Sequence, residues 1–111
     1  MRNILIRNKE SDIGHIIENL AYLELMRRGY DVYVGDIDKG EVDFVAIKNN
    51  QTEYYQISAT TLNPDTLARE LAPLQSVQDN YPKYLLTLDE LFGEANYNGI
   101  QKKNLIKWLL E

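Results

Sequence analysis

This chain of 111 residues contains no cysteine, which excludes a disulfide framework and any thiolate metal site. It has one histidine, at position 15, and no acid–base partner can be placed beside it, so histidine-based catalysis has little to work with. No apolar run approaches the ~18 residues that a membrane span requires. The apolar stretch at residues 4–6 is too short for a signal peptide. There is no glycine-rich phosphate loop, so the chain does not itself carry an ATPase site. Basic excess is missing too: the net charge is -5. Phosphate contacts supply most nucleic-acid affinity, so this balance argues against a broad stand-alone grip on DNA. It leaves room for a local basic patch or an acidic site that recruits a divalent cation. These absences fit a cytoplasmic protein.

What is present suits one modest core. Hydrophobic residues make up 44% and charged residues 26%, ordinary for a globular domain. Residues 1–11 read as a lead-in segment and 12–111 as a single domain. From Ser11 or Asp12, either a good N-cap, the pattern is helical to Arg28. Ile13, Ile16, Ile17, Leu20 and Leu23 form an apolar face that the core is expected to bury. A second stripe holds Gly14, Glu18, Ala21, Tyr22 and Leu25, whose small members allow close approach to another element. Gly29 should end the helix.

Residues 30–36 read as a strand and 36–40 as a polar turn whose likeness to a calcium loop fails on spacing. Two strands follow, within 41–48 and 53–59, joined by a turn at Asn49, Asn50 and Gln51. Asn63-Pro64 opens a second helix with Leu67, Leu71, Leu74 and Val77 as its buried stripe. Pro73 is expected to kink or split it near Ala72. Residues 83–89 read as a strand covered on both faces. Residues 90–98 read as an acidic loop, and the tail as a short edge strand with a helical turn, Trp108 packing it down. The tyrosines at 33, 54, 55 and 84 suit strands better than a base-stacking platform. The order implies an α/β (α+β) fold with a central mixed sheet and helices on both faces.

Strand alternation places Asp43 on one face of its strand, and Gln56 with Ser58 on one face of the next. Glu18 is the only charge in its helical stripe. Two carboxylates and an amide oxygen gathered on a sheet are the usual makings of a metal-assisted phosphodiester hydrolase, with Mg²⁺ or Mn²⁺ as the cation. Glu41 reads as a hairpin surface acid.

These residues resemble the PD-(D/E)XK nuclease superfamily. Over residues 12–110, the stretches GHIIEN (14–19), ELMRRGYDVYVG (24–35), EVDFVA (41–46), Arg69-Glu70 and PKYLLTLDE (82–90) are similar to the C-terminal domain of a family of prokaryotic AAA-type ATPases. The resemblance implies a restriction-endonuclease-like core, with Glu18 as the helix acid, Asp43 as the first-strand acid and Gln56 as the second-strand ligand. Ser58 stands where the superfamily has its lysine. Losing a positioned cation at a developing anion typically costs ~10²–10³ in rate. Lys48 points to the opposite face, leaving Arg69 as the candidate surrogate cation. The resemblance therefore implies a catalytically degenerate accessory or recognition domain with an upstream ATPase as partner. The alternatives are an active Mg²⁺-dependent DNA nuclease and a protein-interaction module without a metal site. No membrane partner is expected.

Overall fold

The computed structural model describes residues 9–34, 42–91 and 94–111. The expected turn at 36–40 and Glu41 lie outside them. Helix α1 spans Lys9–Arg27, beginning ahead of the Ser11/Asp12 cap that the sequence suggests. It ends as expected at Gly29, whose φ of +94° only glycine adopts without strain. The Gly29 N–H donates to the Met26 carbonyl and the Tyr30 N–H to the Leu25 carbonyl, each at 3.0 Å. This is the Schellman closure, and Tyr30 packs on the same core cluster as Leu25.

Strands β1 (Asp31–Tyr33), β2 (Phe44–Lys48) and β3 (Gln51–Ser58) form the antiparallel meander. The β2–β3 turn needs only Asn49 and Asn50, at φ +55° and +64°, which is the twist-matched hairpin geometry asparagine tolerates. Helix α2 (Pro64–Ser76) then starts on an Asn63 cap, whose side chain accepts the Asp65 N–H at 2.8 Å. It crosses back so that β4 (Lys83–Thr87) lies parallel to β3. Strand β6 (Ile100–Asn104) lies parallel to β4, β5 (Ala95–Tyr97) pairs antiparallel outside it, and α3 (Leu105–Leu109) closes the chain. The sheet order is β1-β2-β3-β4-β6-β5. It is a mixed six-stranded sheet, with α1 and α3 on one face and α2 on the other. Among the described residues, no helix is long and apolar enough to cross a membrane.

Four expectations are corrected. Of the apolar face at 13, 16, 17, 20 and 23, only Ile17 is buried. The core takes Ile17, Ala21 and Leu25, because Ala21 lets α1 settle directly on Tyr55 and Ile57 of β3. Pro73 does not split α2. It sits in the final turn, where Leu71 and Leu74 anchor the helix on both sides of it. Part of the expected acidic loop is strand β5. The tail strand β6 is not an edge, since it is paired on both sides; β5 and β1 are the edges. The reading of residues 83–89 holds: Leu85, Leu86 and Thr87 are fully buried.

Candidate functional site

The three parallel strands β3, β4 and β6 end at the same end of the sheet, the usual location for ligand clefts in open α/β sheets. There α1 contributes Gly14, His15 and Glu18, the end of β3 contributes Ser58, and the first turns of α2 contribute Thr66, Arg69 and Glu70 to an open cleft of about 510 Å³. Glu18, Ser58 and Arg69, singled out from the sequence, therefore share one cleft.

Asp43 and Gln56 are joined just behind it. Asp43 stands just before β2, and Gln56 follows Tyr55, the β3 partner of Phe44, the first residue of β2. The Asp43 N–H donates to Gln56 Oε1 at 2.6 Å, and Asp43 Oδ2 accepts the Ile57 N–H at 2.9 Å. Gln56 is buried, and its Nε2 donates to both the carbonyl and Oε1 of Glu70 at 3.2 Å. The side chains thus form a chain from β2 through β3 to α2. The Gln56 oxygen, the only atom of that side chain suited to a hard cation, already accepts a backbone N–H.

Glu70 is the site residue that sequence reasoning overlooked. In the sequence it stands out only as the neighbour of Arg69 in the stretch Arg69-Glu70. Yet it stands three residues after Leu67 and four before Leu74, within the buried helical stripe, and that spacing was the available signal. Its carboxyl is held above the usual glutamate value of 4.5, first by burial and then by the charge of Glu18, while Arg69 opposes the shift. Arg69 makes no salt bridge among the described residues and stays exposed at the cleft mouth. Ser58 Oγ donates to the Thr60 carbonyl at 2.9 Å, so its hydroxyl serves the turn after β3. Lys48 is remote: its Nζ donates to the Arg28 carbonyl at 2.7 Å, at the far end of β2. Trp108 packs in the core under the Arg28 guanidinium, 4.5 Å from its ring centroid, and Tyr54 and Tyr55 are buried strand residues.

A metal would need several oxygen ligands free to converge. Among the described residues, no group of three or more His, Cys, Asp or Glu is placed to hold one. Asp43 Oδ2 and Gln56 Oε1 each already accept a backbone N–H, so a cation at Glu18, Asp43 and Gln56 would have to share both oxygens with those donors. Glu18 and Glu70 are the carboxylates that line the cleft.

A second polar cluster, which the sequence did not announce, lies on the α2 side of the sheet under the neighbouring strands. Lys102 and Asp89, both almost fully buried, pair at 2.9 Å. Asp89 also accepts from the Thr60 hydroxyl and the Thr61 N–H, and its carbonyl accepts from Asn104 Nδ2. Burial works to raise the Asp89 carboxyl, but these donors together with Lys102 outweigh it and hold the carboxyl below the usual 3.8. Every charge is matched, so the cluster braces the start of α2 against β4 and β6.

The chain matches an uncharacterised protein of Haemophilus influenzae at 33% identity over all 111 residues. It spans 27% of that protein's length. No protein-family model matches the chain.

Proposed function

We propose that this domain is a catalytically degenerate, PD-(D/E)XK nuclease-like module that serves a larger protein in recognition. The order α1-β1-β2-β3-α2-β4, with β3 and β4 parallel, supports a restriction-endonuclease-like core. One observation carries the functional reading. Where the resemblance puts metal ligands, Asp43 and Gln56 are spent on each other's strands, and Gln56 is tied onward to Glu70. The would-be ligand pair acts as a clasp that fixes the mouth of the hairpin and the seat of α2. Ser58, in the position of the missing lysine, is likewise committed to a turn. The 27% coverage of the Haemophilus relative supports a role as one part of a longer chain. The motif resemblance makes the remainder an upstream AAA-type ATPase, in the cytoplasm.

The test is incubation of the protein with plasmid and branched DNA in Mg²⁺ or Mn²⁺. Degeneracy predicts no cleavage above a buffer control. Cleavage that disappears in Asp43→Ala would overturn it.

A second reading, an active nuclease, draws on a different pair. Glu18 and Glu70 face one cleft with Arg69 beside them, and the strained charge of Glu70 would be relieved by a bound cation. In that case cleavage would depend on Glu70 and Arg69, and would survive Gln56→Leu in any fraction that remains folded. The third reading, a protein-interaction module, predicts neither metal binding nor cleavage. It is separated from the first by whether the domain still contributes to substrate choice when the intact protein is assayed with and without it.

A further inference from the structure

Three asparagines sit in hairpin turns at positive φ: Asn49 at +55°, Asn50 at +64° and Asn98 at +55°. The first two are followed by Asn50 and Gln51, whose side chains crowd the next peptide nitrogen. Asn98 is followed by Gly99, at φ +96° and with no β-carbon over its nitrogen. No other asparagine of the chain precedes a glycine. Asn98 and Gly99 are both exposed, and they form the whole turn between β5 and β6, since Tyr97 pairs with Ile100. We propose that Asn98-Gly99 is a site of spontaneous covalent modification, cyclisation to a succinimide, and that Asn96 restrains it.

The reaction needs no partner but water. The Gly99 peptide nitrogen gives its proton to hydroxide and attacks Cγ of the Asn98 side-chain amide. A C–N bond forms, the Cγ–Nδ2 bond breaks, and Nδ2 takes a proton from water and leaves as ammonia. The ring then takes up one water. Opening at one carbonyl gives aspartate; opening at the other gives isoaspartate, whose backbone runs through Cβ and Cγ. Nothing is oxidised or reduced. The restraint is a hydrogen bond: the Gly99 N–H donates to Asn96 Oδ1 at 2.9 Å. Removing that proton would leave the nitrogen anion facing the lone pairs of the same oxygen, so the bond slows the first step. The outcome matters because β5 is three residues long and paired on one side only. Isoaspartate puts an extra backbone atom into a two-residue turn, which breaks the Tyr97–Ile100 register and loosens β5. Strand β6, with its buried Lys102 opposite Ala95, then becomes the edge. The turn lies at the other end of the parallel strands from the Glu18 cleft, and the proposal does not depend on the nuclease-like reading.

Prolonged incubation of the full 111-residue chain in mildly alkaline buffer, followed by peptide mass spectrometry that tells isoaspartate from aspartate, tests it. The peptide holding Asn98 should gain the mass of an amide turned into an acid ahead of every other asparagine peptide. Asn96→Ala should raise that rate about fivefold, the equivalent of one modest hydrogen bond. Asn96→Asp should lower it, because a carboxylate opposes an anion at Gly99 more strongly. Asn98→Gly, which keeps the turn, should abolish the signal. Circular dichroism checks that each variant is folded. Amide exchange at residues 95–97 should quicken as isoaspartate accumulates. Modification that begins at another asparagine overturns the inference. Equal rates in the wild type and Asn96→Ala overturn it too. A faster rate in both Asn96 variants does the same, and assigns the effect to general loosening of the turn.

Discussion

Replacing Gln56 with leucine separates a clasp from a ligand. The native amide is buried, accepts the Asp43 N–H at 2.6 Å and donates twice to Glu70 at 3.2 Å. Leucine fills nearly the same volume without either function. Stranding a partly buried backbone donor costs about 1–2 kcal/mol, and the two longer bonds to Glu70 add about 1 kcal/mol between them. The extra apolar surface of leucine returns up to about 1 kcal/mol. The net loss is about 1–3 kcal/mol, which lowers the melting temperature of a domain this size by roughly 4–12 °C. Urea denaturation followed by circular dichroism measures the loss. Amide hydrogen exchange localises it, because the Asp43 N–H should exchange at least tenfold faster. Were Gln56 instead held ready for a cation, the same change would leave stability within about 0.5 kcal/mol and act only on metal binding. That result would refute the reasoning.

Glu70→Gln should raise the melting temperature at pH 7. The wild-type carboxyl binds its proton more readily folded than unfolded, so wild-type stability rises as the pH falls through the raised folded value toward 4.5, and the gap between the proteins closes there. Melting curves from pH 4 to 7 measure this. Lys102→Met should cost about 3 kcal/mol in urea denaturation, since it leaves the Asp89 carboxylate buried without its cation. Asp89 contributes in the opposite pH sense from Glu70. Its lowered value stabilises the fold at every pH above 3.8 and is lost as the pH drops through the depressed folded value, so Asp89→Asn should flatten the acid limb of the stability curve.

The parts of the fold legible in the sequence were those with local causes. Gly29 ends α1 because only a residue free at positive φ completes that closure. Asn63-Pro64 starts α2 because cap and fixed φ coincide there. The β2–β3 hairpin follows from two alternating runs around a pair of asparagines. What was not legible depended on neighbours distant in sequence. Both stripes of α1 are apolar, and the choice between them was made by the fit of Ala21 against β3. Residues 95–97 become a strand because β6 offers an edge to pair with. Pro73 is tolerated because two buried leucines hold the turn around it. Strand alternation brings Asp43 near Gln56, but the bond itself runs through the Asp43 backbone N–H, and Glu70 stands beside an exposed arginine that masks its half-buried position. The Asp89–Lys102 pair joins an apparent strand end to an apparent tail, a contact that no spacing rule reaches.

In the proposed function, the hairpin keeps the positions of a nuclease site and turns their side chains to structural use. Isothermal titration of the wild-type protein with Mn²⁺, repeated on Asp43→Ala, tests it most directly. The account predicts no saturable binding at millimolar metal in either protein. A single site in the wild type that vanishes in Asp43→Ala would contradict it.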